Sequence, residues 1–252
     1  MPVHITIMLY SIIFLFGIVI GSFLNVCIYR IPKKESLIPS SHCMDCGHKL
    51  YWYDLFPVFS YLLLKGRCRY CGSRIAKQYP LVELLNGVFY MVVFMANGYN
   101  LGSIFYCLMT SALLVLSVID ERTYEIPLGV NLFLLVIGIL FSVWDRTNLV
   151  SHLIGLVCVS LPLYLLFLVT GGRAIGGGDI KLMAVCGLIL GWKNIVLAFF
   201  IACILGSVIH VIRMKVSHAE HMLAMGPYLA MGVWITALFG NAMIDWYMSL
   251  LL

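Results

Sequence analysis

Charge is what this sequence is short of. Only 11% of its 252 residues are charged, whereas 62% are hydrophobic. Soluble domains carry about 25% charged residues, so a water-soluble enzyme is excluded and a polytopic membrane protein is expected. The net charge of +5 does not call for nucleic acid, because the placement of the basic residues accounts for it. No basic segment precedes the first apolar run, Ile5 to Ile20; Arg30, Lys33 and Lys34 follow it instead. That order reads as an uncleaved first helix with its N-terminus outside the cytosol, not as a signal peptide. Internal repeats, low-complexity linkers, a secreted disulfide scaffold and a glycine-rich nucleotide fingerprint are also missing.

About eight apolar segments are long enough, or nearly so, to cross a bilayer: roughly 5–29, 80–97, 101–119, 128–144, 150–170, 180–192, 194–213 and 223–243. The sixth is short, and a tight hairpin at Gly191-Trp192-Lys193-Asn194 is expected to join it to the seventh. The expected fold is therefore an all-α polytopic membrane protein. It divides into a first helix (1–29), a polar loop domain (30–79) and a membrane core (80–252). With the N-terminus outside, fourteen of the sixteen Lys and Arg residues fall in inside loops, and only Arg146 and Lys193 fall outside. This is a strong positive-inside signal.

The long polar loop holds Cys43-Met44-Asp45-Cys46 and Cys68-Arg69-Tyr70-Cys71. Two such knuckles offer four thiolates to a tetrahedral, structural Zn²⁺, with iron–sulfur or redox chemistry as the alternatives. Gly47 and Gly72 directly after the pairs suit the tight turns. Disulfides are disfavoured in the cytosol, and a loop too small for a core gains from a metal staple. Most of Tyr51, Trp52, Tyr53, Phe56 and Phe59 are expected to pack round the metal or rest at the interface, the alternative being a docking surface for a substrate or cofactor. Cys27, Cys107, Cys158, Cys186 and Cys203 read as small hydrophobes.

Two acids stand at the ends of apolar segments. Asp179 closes Gly176-Gly177-Gly178-Asp179, and Asp120 closes Leu116-Ser117-Val118-Ile119-Asp120. Between them the chain crosses outward and returns, so parity puts both on one face. Asp179 alone is equally well read as a helix N-cap. Asp120, at a helix C-terminus, has a location that the dipole disfavours. The pair suggests an ionised Asp179 that activates water and a protonated Asp120 that polarises a carbonyl, the state an aspartyl protease needs. Gly176 and Gly178 would let backbone approach an extended substrate. Glu83, just after Pro80, reads as compensation of a helix dipole, and Asn25 and Asn86 as interhelical hydrogen-bonding residues. His152, His210, His218, His221 and Asp245 show no ligand-like spacing.

Several runs together resemble the type IV prepilin peptidases, membrane aspartyl proteases marked by GxGD. They are Gly21-Ser22-Phe23-Leu24-Asn25-Val26 with Tyr29-Arg30-Ile31-Pro32, the two Cys pairs, Gly66-Arg67-Cys68-Arg69, Tyr79-Pro80-Leu81-Val82-Glu83, Gly176 to Lys181, and Gly226-Pro227-Tyr228-Leu229-Ala230. The resemblance spans nearly the whole chain. It implies that Asp120 and Asp179 are the catalytic pair, acting at the cytosolic face of the bacterial inner membrane. The implied substrates are type IV prepilins or pilin-like secretion subunits, whose short basic leaders are removed. Members with the large cysteine loop usually also methylate the new N-terminus with S-adenosylmethionine, so that cofactor is implied as well. Leu128 and Met225 depart from the family's usual residues, away from the proposed dyad.

Three rivals predict something different. A proton-coupled transporter needs acids near mid-membrane and broken helices there. A non-enzymatic scaffold explains the cysteines but not the acid pair. A peptidase without methylase activity would not need the large loop.

Overall fold

The computed structural model describes residues 3–217 and 223–251, so His218 and His221 lie outside the described residues. The chain forms two compact units, residues 1–99 and 100–252. All regular elements among the described residues are helices, apart from isolated bridges in the polar loop. Among the described residues, six helices are apolar and long enough to cross a membrane, and Leu128–Trp144 is a shorter apolar helix. With the family described below, this makes the chain a multi-pass membrane protein.

In the first unit, α1 (Val3–Arg30) packs along α3 (Gln78–Asn97), with the short α2 (Phe59–Leu63) between them in sequence. The approach is close because α1 presents glycine: a Cβ on Gly21 would lie 2.7 Å from the Glu83 Cα. Asparagines tie the pair, as expected. Asn86 Nδ2 donates to the Gly17 carbonyl at 2.7 Å and Asn25 Nδ2 to the Tyr79 carbonyl at 3.0 Å. Such bonds satisfy polar groups that lipid cannot.

The second unit holds α4 (Leu101–Thr123), α5 (Leu128–Trp144), α6 (Leu149–Cys158), α7 (Ser160–Thr170), α8 (Gly177–Ser217) and α9 (Gly226–Leu251). The break between α6 and α7 precedes Pro162, whose missing N–H and ring stop a helix from running through. α8 packs against α5, α6, α7 and α9, and α4 against α5 and α9. At the C-terminal end of α5, Asp145 meets the buried His152, Oδ2 to Nε2, at 3.3 Å.

α8 is not one rod. Gly191 inside it has φ 76° and ψ 170°, outside the helical region. Near its start, Gly178 lies against Ile126, and near its end Arg213 pairs with Glu121 at 2.9 Å. A straight helix between those positions would be about 52 Å long, yet both contacts fall within six residues of α4 and its following loop. The chain therefore turns back at Gly191, where only glycine takes a positive φ without strain.

Candidate functional site

Both acids lie in the second unit, at the C-terminal end of α4 and the N-terminal end of α8. Asp120 lies in the last turn of α4, 4% exposed. Its Oδ2 accepts a 2.8 Å hydrogen bond from the backbone N–H of Gly226, the first residue of α9. The next residue, Pro227, occupies a first-turn position that tolerates proline. A Cβ at Gly226 would come within 2.6 Å of that Asp120 oxygen, so no larger residue fits without displacing the carboxyl. Asp120 thus faces the C-terminal end of its own helix and the N-terminal end of another. The second end favours anions, which the sequence did not reveal.

Asp179 lies within the first turn of α8, half-buried. Its N–H donates to the Gly176 carbonyl at 3.2 Å, so it sits inside the helix and not at the capping position read as the bland alternative. Gly176 is exposed, and a Cβ there would lie 3.1 Å from Asp179 Oδ2. A Cβ on Gly178 would lie 2.9 Å from the Ile126 Cβ, so glycine lets the start of α8 close on the loop after α4. Asp120 is near enough for its charge to act on Asp179. Arg213 bonds both Glu121 and Tyr228, bracing α4, α8 and α9 beside the pair.

In the first unit, Cys43, Cys46, Cys68 and Cys71 offer sulfurs that all lie within 4.8 Å of one another. A tetrahedron with Zn–S bonds of about 2.3 Å has edges of about 3.8 Å, and Cys43 Sγ to Cys71 Sγ is 3.9 Å. Both knuckles fold alike. Cys43 N–H donates to His48 O and Gly47 N–H to Cys43 O; Cys68 N–H donates to Ser73 O and Gly72 N–H to Cys68 O. Gly47 and Gly72 take φ 69° and 74°, as their places after the pairs require. The Cys46 N–H is the chief reason that the Cys43 thiol is held down at about 6. At Cys46 the His48 N–H also favours the thiolate, but lost solvation and the neighbouring sulfurs outweigh it and push that thiol up to about 11. Bound Zn²⁺ would relieve this crowding, since it takes thiolates as ligands. The four cysteines fit the metal.

The loop aromatics form an exposed cluster beside the second knuckle. Tyr51 stacks on Tyr53 with centroids 5.5 Å apart, and the Arg69 guanidinium lies 5.3 Å from the Tyr53 ring. Asp54 accepts from Arg69 Nε at 2.7 Å and Tyr70 Oη at 2.9 Å. Burial disfavours its charge, but these donors and the Tyr51 N–H outweigh that and hold its carboxyl below the usual range.

Sequence reasoning misread Glu83. It lies beyond the first turn of α3, which holds no acid, is 7% exposed, and accepts from the Val58 N–H at 2.7 Å and from Ser22, so it braces the loop instead. The partner lies 25 residues away, beyond any local pattern. The part played by Gly226 was missed too, although its Gly-Pro pair marks a helix start.

Comparison with known proteins agrees with this layout. Residues 15–97 match the bacterial peptidase A24 N-terminal domain, and residues 107–211 match the type IV leader peptidase family. A protein of Aeromonas salmonicida named prepilin leader peptidase/N-methyltransferase is 33% identical over 276 aligned residues, covering 96% of this chain and 95% of that protein. Namesakes from Pseudomonas putida and Pseudomonas aeruginosa are 33% and 32% identical, each covering 93% of this chain and 92% of their own length. No solved structure gives a significant match. On both family matches and on near full-length identity, the chain belongs to the type IV leader peptidase family.

Proposed function

We propose that this chain is a membrane aspartyl endopeptidase that removes basic leaders from type IV prepilins or pilin-like secretion subunits. The observation that carries the reading is that Gly178, next to Asp179 at the start of α8, closes on Ile126 just after the end of α4 that carries Asp120, with Gly226 holding one oxygen of Asp120. The ionised carboxyl of the pair takes a proton from a water molecule, which attacks the scissile carbonyl. The neutral carboxyl donates its proton to the developing oxyanion. Proton transfer to the departing amine then breaks the C–N bond and restores one ionised and one neutral carboxyl. The half-buried Asp179 beside exposed Gly176 leaves room for an extended backbone.

Counting the two arms of α8 and the shorter α5 as crossings gives eight membrane passages, as read from the sequence. The basic loops then lie inside, and the pair faces the cytosol of the bacterial inner membrane. A substrate whose basic leader stays inside while its apolar helix enters the bilayer presents its scissile bond at that interface. The segment 30–79 holds Zn²⁺ through Cys43, Cys46, Cys68 and Cys71 as a structural staple. This segment is also assigned N-methylation of the new amine, for which S-adenosylmethionine would supply the methyl group; the relatives' names support it. The transporter and scaffold readings leave the Asp120–Gly226 contact without a purpose.

The test is the pH dependence of kcat/KM for leader removal. Activity should fall at low pH as the base is protonated and at high pH as the acid ionises, giving two limbs. A single limb would contradict the paired mechanism.

A further inference from the structure

Asn131 is a buried polar residue of the second unit that the aspartyl mechanism leaves unused. It is 4% exposed, and neither Oδ1 nor Nδ2 makes a hydrogen bond among the described residues. Buried polar groups are normally paired, because an unpaired one has given up its bonds to water for nothing. Asn25 and Asn86 of the first unit follow that rule, each donating to a carbonyl of the neighbouring helix. Asn131 breaks it, although an apolar side chain of similar volume would fill the place without that cost.

The fold sets this amide at the depth of the two acids. α4 and α5 pack together and are joined only by residues 124–127. Asp120 stands three residues before the end of α4 and Asn131 three residues after the start of α5, so they share one level. α5 also runs beside the first arm of α8 in the same direction, with Ile126 against Gly178 and Gly138 against Leu188. Seven residues before Gly138 and Leu188 stand Asn131 and Lys181. Asn131 is therefore about 3 Å of helix rise from the level of Asp179. Helix side chains lean towards the N-terminus, which carries the amide back towards that level. Asn131, Leu134, Gly138 and Ser142 form one buried stripe of α5. Ser142 Oγ donates to the Leu188 carbonyl at 3.1 Å, so this stripe faces α8.

A carboxamide offers both a donor and an acceptor. One residue of an extended chain points its N–H and C=O to the same side, and both need partners where water is scarce. We propose that Asn131 binds the backbone of one extended substrate residue next to the scissile bond, Oδ1 accepting from its N–H and Nδ2 donating to its carbonyl. The proposal rests on the peptidase reading above and adds a substrate-binding residue to it. Asp120 is also 4% exposed, so the opening that admits substrate to that acid admits it to the same depth of α5. Because every residue has this backbone pair, the contact fixes the register of the chain at the acids and is blind to its side chains.

The experiment is a double-mutant cycle on kcat/KM for leader removal by the full chain in lipid nanodiscs. The substrate is a pilin-like peptide with a basic leader. Each analogue replaces one backbone N–H near the scissile bond by an ester oxygen and leaves the scissile amide intact. Asn131→Leu keeps the volume and removes both polar atoms. The unmodified chain is expected to lose roughly tenfold on one ester analogue. Asn131→Leu should lose roughly tenfold on the parent peptide and nothing further on that ester, with no fall in its thermal midpoint. Losses that multiply at every position overturn the proposal. Should Asn131→Leu not fold, photocrosslinking of the unmodified chain decides, using an uncleavable substrate with a diazirine next to the scissile position. Label within 128–134 supports the contact, and label confined to other segments overturns it. A chain that fails these tests but is inactivated by Asp179→Asn loses the Asn131 contact and keeps the peptidase reading. One that cleaves equally well as Asp179→Asn loses both.

Discussion

The four thiols of the first unit come from one loop, residues 43–71, and are fixed by two turns with the same pattern of bonds. The acids of the second unit come from α4 and α8, and the donor that fixes Asp120 stands 106 residues away in α9. A local cluster pays little loop-closure entropy and can be staked by a metal. A site assembled from distant helix ends depends on how closely those helices pack. That is why glycine stands at each approach: Gly178 against Ile126 and Gly226 against Asp120. The first site should therefore respond to removal of a ligand, and the second to an added methyl group.

The largest expected effect breaks the second site directly. Asp120→Asn and Asp179→Asn should each lower kcat for leader removal by about 10³-fold or more, and the double variant should be no worse than either alone, because residues acting as a unit are non-additive. Multiplying losses in a cleavage assay would argue against a shared water. Next, Gly226→Ala drives a Cβ into the carboxyl of Asp120 and should cost about 10²-fold in kcat, with KM little changed, as misplacement of a catalytic group does. Equal activity would mean that α9 does not hold Asp120 in place.

Smaller effects sharpen the contrast. Chelation, or Cys46→Ser, should reduce zinc from about one atom per chain towards none and expose the 43–71 loop to hydrogen exchange. Leader removal should fall less than about tenfold, because the acids are held by helices and not by the metal. Loss of cleavage in proportion to loss of zinc would erase the distinction between the sites. Smallest is Arg213→Ala. The pair with Glu121 is nearly half exposed on both sides, and such pairs contribute about 0.2–1 kcal/mol, so cleavage should change less than about fivefold.

The same contrast explains what the sequence made legible. Cysteine spacing and the glycines after each pair are local signals, and they led to the knuckles as found. Parity of apolar segments brought Asp120 and Asp179 together because counting crossings needs no contact information. The Gly226 N–H, the pairing of Arg213 with Glu121, and the bond from Val58 to Glu83 were illegible because each joins groups far apart in the chain. Apolar helices also look alike from composition, since lipid-facing and packed surfaces are equally hydrophobic. The reversal at Gly191 was legible as a hairpin only because Trp192, Lys193 and Asn194 interrupt the apolar run.

The central claim is that Asp120 and Asp179 cut a leader peptide. Its most direct test is intact-mass spectrometry of a pilin-like subunit co-expressed with this chain, unmodified or as Asp179→Asn. The account predicts a subunit shortened by its leader, and carrying one added methyl group, with the unmodified chain, and a full-length subunit with the variant. Equal shortening by both chains would contradict it.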